Sequence, residues 1–403
     1  MQRTDNTGAV ERPLRIVHVG LGINPIPAQD EAGGVERDIF CLTNHLTTLG
    51  CDVWIVDVAA RREERLGARA RFYEVPRQPV PGAGWHGGMP GSLVFSVQAA
   101  AALERLAAIV KPDVVNVHSP YFVLALRLIC GAGARGRLVL TSHAPLVLGP
   151  ASLKMRAQTL LDRVAFGMAD HIIARTEASC RHIVAKHNLP LDKVSVIPVA
   201  VEMEVADRLL EESAARRCLS RTVLCVSRIT PRKNQEALVN AAARVLKVFP
   251  DVRFVFAGPV ADKQYYDRLL SLVRERGLSQ WVTFTGTLPR QELDRLYAEA
   301  SVFAFPTLAE MFPQALLEAL SFGLPAVVSA IPANVEILGE SDPAGLLVKP
   351  HDDEEIAEAI LSLLGDDALR ASLSVKARCV AERFSGDAVA RQTLAVYQRL
   401  LRV

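Results

Sequence analysis

Short apolar runs alternate along this chain with longer stretches in which apolar residues recur at helical spacing, and both halves share the pattern. Such alternation is typical of parallel sheets that are covered by helices on both faces. The sequence therefore predicts an α/β protein with two doubly wound domains. The apolar runs predict strands at 15–19, 53–58, 114–117, 138–141, 171–174, 223–226, 254–257, 282–284, 302–305 and 326–329.

The boundary between the two domains is predicted near residue 200. Residues 202–221 are rich in charge and contain no strand-like run, so they are predicted to form a linker and a helix. We expect a first domain over 1–200, a second over 201–385 and a terminal segment over 386–403, with a helix at 387–401.

Composition narrows the class of protein. With 403 residues, 50% of them hydrophobic and 22% charged, the chain resembles a soluble globular protein with two full-sized cores. A net charge of +2 argues against nucleic-acid binding through a broad basic field. The seven cysteines lack metal-ligand spacing, and no signal-type or spanning apolar segment is visible, so we expect reduced thiols and a cytoplasmic location.

Contact with the inner face of a membrane is a less favoured expectation. Six arginines lie between residues 61 and 77, and residues 153–166 mix basic and apolar side chains at helical spacing. The arginines alternate with glutamates, so a solvated surface is the preferred interpretation.

Two carboxylates flank a predicted helix start after the apolar run 302–305. Glu310 lies in the loop and Glu318 within the helix, with Pro313 placed in the first turn. Backbone N–H groups at such a start lack helical partners and can bind an anion or a sugar hydroxyl. This arrangement suits a nucleotide-sugar, although it is also compatible with a solvated helix start.

Two cations follow another predicted strand. Arg228 and Lys233 flank a turn after the run 223–226, where they would neutralise a diphosphate and stabilise charge that grows as a glycosidic bond breaks. No two aspartates stand two residues apart, so an Asp-x-Asp metal site is not expected and the predicted site contains no metal.

Several segments in order resemble family 4 of the retaining glycosyltransferases. Residues 310–318 resemble its Glu-x7-Glu motif, and 228–233 its Arg-x4-Lys pair. The remaining similar segments are 33–37, 115–120, 253–258, 282–286 and 323–329. The resemblance implies a GT-B fold, in which two Rossmann-like domains face each other across a cleft and the last helix crosses back to the first domain.

The resemblance also implies roles for individual residues. Arg228, Lys233, Glu310 and His118 would be catalytic, with Glu310 holding donor-sugar hydroxyls and His118 close to the reacting carbon. The donor would also be bound by Gly33, Gly34, Glu318, Phe312 and Gln314, with Glu318 accepting hydrogen bonds from the ribose. The implied partners are a nucleoside-diphosphate sugar and a hydroxyl acceptor, which is a sugar, a lipid-linked molecule or a small molecule, and no other cofactor is expected.

Departures from the family pattern leave alternatives open. Ala200 replaces a usual glycine, Met311 a usually small residue, and Ile331 begins a segment where a glycine pair is common. A nucleotide-sugar epimerase of the same fold and a catalytically silent scaffold subunit remain rival interpretations. His143 is a second histidine candidate, for acceptor contacts only. The sequence indicates neither the base, the sugar nor the acceptor.

Overall fold

The computed structural model describes residues 12–20, 34–58, 68–75, 88–130, 136–143, 153–219, 221–310 and 312–402. Within these ranges the chain forms two compact units. The first unit contains the residues up to Pro198 together with those from Val389 onward, and the second contains Val199–Ala388.

The first unit is built on a seven-stranded parallel sheet with the order β3-β2-β1-β4-β5-β6-β7. Its strands are β1 (Arg15–Val19), β2 (Asp52–Val58), β3 (Ala70–Val75), β4 (Val114–Val117), β5 (Arg137–Thr141), β6 (His171–Ala174) and β7 (Val194–Val196). Its helices are α1 (Gly34–Thr48), α2 (Gly88–Val110), α3 (Pro120–Cys130), α4 (Leu153–Met168) and α5 (Glu177–His187).

The second unit is built on a six-stranded parallel sheet with the order β10-β9-β8-β11-β12-β13. Its strands are β8 (Thr222–Val226), β9 (Arg253–Ala257), β10 (Val282–Gly286), β11 (Val302–Phe305), β12 (Ala326–Ser329) and β13 (Leu346–Val348). Its helices are α6 (Met203–Leu219), α7 (Gln235–Val248), α8 (Lys263–Glu275), α9 (Arg290–Glu299), α10 (Gln314–Ser321), α11 (Pro332–Leu338), α12 (Asp353–Gly365) and α13 (Asp367–Glu382).

The last helix, α14 (Gly386–Leu401), is tied to the first unit by hydrogen bonds. The buried hydroxyl of Tyr397 accepts a hydrogen bond of 2.7 Å from Asn116 at β4. Arg137 donates to the carbonyl oxygen of Leu400 at 2.9 Å. These bonds fix the helix against β4, which His118 follows, and against β5, which contains Arg137.

Core packing in the second unit follows the two-residue period of its strands. Val223 and Cys225 pack into the cluster on one face of the sheet, whereas Leu224 between them packs into the cluster on the other. The strand residues of both clusters are buried on both faces of the sheet, which is why the central strands appear in the sequence as continuous apolar runs.

The predicted fold class and all ten predicted strands are confirmed. The charged segment after residue 201 forms α6, as expected. Three strands were not predicted: β3, β7 and β13, which all lie at sheet edges. Ala200 avoids the positive φ that a glycine would take there, since the positive-φ residues other than glycine in the described part of the chain are Lys111, Asn188 and Asn234.

None of the helices in the described ranges combines the length and apolar composition that spanning a membrane requires.

Candidate active site

The central feature of the second unit is a buried ion pair between Lys233 and Glu310. Lys233 ends a short 3-10 helix after β8, and Glu310 lies in the loop after β11, its neighbouring strand. The side chains are only 11% and 7% exposed, and Lys233 Nζ also lies 5.1 Å from the centre of the Phe305 ring. Burial lowers the pKa of Lys233, and the adjacent carboxylate of Glu310 opposes that shift.

A hydrogen-bond network holds the two loops together. Thr307 donates to Glu310 Oε1 at 3.0 Å, and the carbonyl of Thr307 in turn accepts from Ser329 at the end of β12. Arg232 donates to the carbonyl of Ala309 at 3.2 Å. Ligands of open α/β sheets bind beyond the carboxyl ends of the strands, and this network lies at three such ends.

Arg228 is exposed, and its charge lies close enough to Lys233 to help lower the pKa of that lysine. Gln235, which is fully buried, donates to the backbone carbonyl of Arg228 at 2.9 Å and to Ser227 Oγ at 2.9 Å. The backbone is therefore fixed while the guanidinium faces solvent. The structure brings Arg228, Lys233 and Glu310 together, as their positions after neighbouring strands predict.

Glu318 is held in a second buried cluster. Arg290 donates to Glu318 Oε1 at 2.9 Å, and the hydroxyl of Tyr297 donates to Oε2 at 3.1 Å. Arg290 also pairs with Asp294 at 2.6 Å. Burial alone would lower the pKa of Arg290, but the two carboxylates raise it, so the guanidinium stays charged. Arg290 and Tyr297 were not predicted from the sequence.

Phe312 and Gln314 lie at the start of α10. Pro313 occupies the N-cap position rather than the first turn, and no side chain caps the helix. The ring of Phe312 lies 6.4 Å from that of Phe384, edge to face. The backbone N–H groups of Gln314, Leu316 and Leu317 already donate to the carbonyl oxygens of Phe312 and Pro313, so this helix start keeps fewer N–H groups for a ligand than the sequence predicts. Met311 lies outside the described residues.

The first unit carries a separate group of polar side chains. Gly34 begins α1, whereas Gly33 lies outside the described residues. From α1, Asp38 forms a fully buried ion pair with Arg175, which follows β6. Arg175 also donates to the carbonyl oxygens of Ile197 at 3.3 Å and Pro198 at 3.0 Å.

Three histidines form a row at the ends of neighbouring strands. His118 Nδ1 lies 2.9 Å from His143 Nε2, and His118 Nε2 lies 3.5 Å from His18 Nδ1. Burial lowers the pKa of His18 to about 3 and those of His118 and His143 well below the usual 6.5. His18 was missed because it lies inside the apolar run of β1.

The nitrogens of these histidines face one another instead of converging on a point. Consistent with this, no cluster of three or more His, Cys, Asp or Glu side chains within the described ranges is arranged to hold a metal ion.

Two family models match the chain. The model described as "Glycosyltransferase Family 4" matches residues 32–205, and that described as "Glycosyl transferases group 1" matches residues 213–379. A D-inositol 3-phosphate glycosyltransferase from Kribbella flavida is 28% identical over 422 residues, which cover 97% of each chain.

Solved structures have the same fold. A sucrose-phosphate synthase from Thermosynechococcus elongatus superimposes with a TM-score of 0.77 at 20% identity, over 96% of this chain and 99% of the other. Anabaena HepE in complex with UDP and glucose gives a TM-score of 0.71 at 20% identity, over 96% of this chain and 100% of the other. The matching family models favour sugar transfer over the epimerase and scaffold interpretations. The chain therefore belongs to the group 1 and family 4 glycosyltransferases and has their GT-B fold.

Proposed function

We propose that this enzyme transfers a sugar from a nucleoside diphosphate to a hydroxyl acceptor, without a metal ion and with retention of the anomeric configuration. The observation that carries the proposal is the buried Lys233–Glu310 pair with exposed Arg228 beside it, at the carboxyl ends of neighbouring strands. It supplies fixed positive charge next to an oriented carboxylate.

The positive groups stabilise the leaving diphosphate. Arg228 presents an exposed guanidinium on a fixed backbone, and Lys233 an ammonium whose position Glu310 fixes. The N-terminus of α10 adds the positive end of a helix dipole. Charge that is held in place before the reaction stabilises a transition state without reorganisation.

The two glutamates have separate roles. Glu310 accepts hydrogen bonds from donor-sugar hydroxyls, and Glu318 from the ribose. Each oxygen of Glu318 accepts from a protein donor, and a carboxylate has about four acceptor positions in all, so one oxygen can accept from more than one donor. Arg290 and Tyr297 keep this carboxylate oriented.

The proposed transfer step rests on the resemblance to the retaining family. The bond between the anomeric carbon and the phosphate oxygen breaks, and a bond forms from the acceptor oxygen to the same face of that carbon. The proton of the acceptor hydroxyl passes to the leaving phosphate. Because the charge on the leaving phosphate is stabilised, the proposed reaction needs no covalent intermediate with a protein nucleophile.

Arginine variants test the charge assignment. We expect Arg228→Ala to lower kcat by about 10²-fold, because charge stabilisation in the transition state is lost. Arg244→Ala is the matched control, since Arg244 is an exposed arginine on α7 that pairs only with exposed Glu354 among the described residues. Equal activity of the two folded variants would contradict the assignment.

Substrate identity is tested by a thermal-shift panel of UDP, GDP, ADP and TDP, followed by activity assays. At 100 times its dissociation constant a nucleotide adds about 2.7 kcal/mol of stability. The acceptor panel begins with D-inositol 3-phosphate, because the Kribbella relative is named for it, and includes sugars and lipid-linked sugars.

One reaction tests metal independence and stereochemistry. We expect full activity in excess chelator and an unchanged anomeric proton coupling in the product by NMR. Activity that requires added magnesium would refute the first part, and an inverted linkage the second.

A cytoplasmic location with peripheral membrane contact is a further part of the proposal. Leu160, Leu161 and Val164 of α4 are exposed, as is Leu128 at the end of α3. Flotation with anionic vesicles tests this, with neutral vesicles as the control. Leu160→Ser combined with Leu161→Ser should abolish flotation, whereas absence of flotation by the unaltered enzyme would rule out the contact.

A further inference from the structure

We infer that His18, His118 and His143 form one hydrogen-bonded chain in which all three rings carry their proton on Nδ1, and that His143 donates this N–H to a hydroxyl oxygen of a bound substrate. The inference deepens the proposed function and rests on it for the identity of the substrate. The hydroxyl belongs either to the donor sugar or to the acceptor.

The geometry places the chain where substrates of open sheets bind. His18 is in β1, His118 follows β4 and His143 follows β5, and these three strands are adjacent. The ring centres are 5.8 Å apart for His18 and His118 and 5.2 Å apart for His118 and His143. Both nitrogens of His118 face histidines, so the chain ends at His18 Nε2 and His143 Nδ1.

All three rings are neutral at pH 7. His18 and His118 are buried and His143 is partly buried, and the charged guanidinium of Arg175 lies close enough to disfavour a positive charge on any of them. A neutral imidazole has one N–H and one acceptor nitrogen. The two contacts therefore allow two proton arrangements, with every proton on Nδ1 or every proton on Nε2.

The buried end of the chain decides between them. His18 is fully buried, and its Nε2 has no hydrogen-bond partner in the described part of the chain. A buried N–H without a partner is rarer in proteins than a buried acceptor without one. The arrangement with every proton on Nδ1 is therefore favoured, because it leaves His18 Nε2 unprotonated. It also places a proton on His143 Nδ1.

The other end of the chain is open to a ligand. His143 is partly exposed, unlike His18 and His118, and Nδ1 has no partner among the described residues. His118 cannot donate to a substrate from a ring nitrogen while both nitrogens are engaged. His118 is thus a positioning residue, and His143 makes the substrate contact.

NMR tests the proton arrangement without any turnover. In the full-length enzyme with ring-¹⁵N histidine, long-range ¹H–¹⁵N spectra at pH 7.5 should identify His18, His118 and His143 as Nδ1–H tautomers, with single-residue variants providing the assignment. An Nε2–H tautomer or a cationic ring at any of the three positions would overturn the inference. This result is independent of whether the enzyme transfers sugar.

Amide variants test the contact. Glutamine places its amide near the position of Nε2, and asparagine near that of Nδ1. We expect His143→Gln, which keeps the link to His118, to raise the KM of one substrate about tenfold, a typical loss for one hydrogen bond. His143→Asn keeps the substrate contact and should cost less. His182→Gln, on α5, is the control for substitution alone.

The outcomes separate the sources of the hydroxyl. A raised dissociation constant for the nucleotide-sugar in the absence of acceptor assigns it to the donor, and a raised acceptor KM alone assigns it to the acceptor. An equal or larger loss in His143→Asn than in His143→Gln would overturn the contact. If the unaltered enzyme transfers no sugar, the proposed function fails, while the tautomers still decide the proton arrangement.

Discussion

Lys233 and Glu310 illustrate how two buried charges depend on each other for stability. Each is removed from water, which costs several kcal/mol, and each compensates the other through a direct ion pair. Removing one partner leaves a buried charge without compensation. Removing both leaves a neutral and well-packed site.

Stability and activity should therefore separate in a pair of variants. We expect Lys233→Met to lower the free energy of unfolding by about 3–5 kcal/mol, and the added Glu310→Gln change to recover most of it. Both variants should keep a low kcat, because each lacks the positive charge of Lys233 that is proposed to stabilise the diphosphate. Urea unfolding and steady-state kinetics measure the two effects. A double variant with restored turnover would contradict the catalytic role of Lys233.

The sequence allowed the candidate residues to be chosen but not their partners. Arg228, Lys233 and Glu310 were predicted from motif spacing, yet the ion pair joins residues 77 positions apart and depends on β8 and β11 being neighbours. Arg290 stands four residues before Asp294 on α9, which in sequence resembles an ordinary surface pair. The catalytic and binding roles stay predictions until the variants are measured.

At the scale of elements, the turns after β8 and β9 pack tightly together. Gly258 follows β9 with φ of +140°, and a Cβ atom there would lie 2.2 Å from the carbonyl oxygen of Ser227. Ser227 directly precedes Arg228. The glycine is therefore required both by its backbone conformation and by the approach of the two turns.

Alanine at Gly258 should consequently be far more harmful than alanine at Gly277. Gly277 also has a positive φ, of +69°, but a Cβ there meets no atom within 4 Å. We expect Gly277→Ala to cost about 1 kcal/mol of stability, and Gly258→Ala clearly more, with loss of kcat as Arg228 shifts. Urea unfolding and kinetics measure both. Equal losses of stability in the two variants would show that the turns after β8 and β9 can move apart at little energetic cost.

The elements that sequence patterns missed share a physical cause. β3, β7 and β13 lie at sheet edges, where at least one side of the strand faces solvent or loops. In β3, Arg71 and Glu74 are exposed while Val75 is buried, so no continuous apolar run appears. β7 and β13 have only three residues each. Central strands are buried on both faces and therefore appear in the sequence as continuous apolar runs, which are easy to predict.

For the whole molecule, the two units differ in histidine content. Eight of the nine histidines precede residue 198, and His351 alone lies in the second unit. Burial lowers the pKa of His18 to about 3 and of His171 and His187 to about 4. The pKa values of His118 and His143 are lowered as well, mainly by burial. These five rings are neutral in the folded first unit when the unfolded chain is already protonated.

The first unit should therefore lose stability in mild acid, before most carboxylates titrate. Below pH 6.5 the histidines of the unfolded chain bind more protons than those of the folded chain. Their contribution to stability is therefore fully present above this pH and is lost as the pH falls toward 4. Each such histidine contributes about 1.4 kcal/mol per pH unit in this window. Calorimetry at pH 7.0 and 5.5 should show a lower transition temperature for the first unit.

Single variants identify the groups responsible for this loss. His171→Gln removes one titrating ring and should reduce the pH dependence by about one proton, or 1.4 kcal/mol per pH unit. His351→Asn in the second unit should leave the pH dependence of the first transition unchanged. A first transition that keeps the same temperature from pH 7.0 to 5.5 would mean that the histidines of the first unit become protonated without unfolding it. Burial would then not be keeping the three rings of the histidine chain neutral.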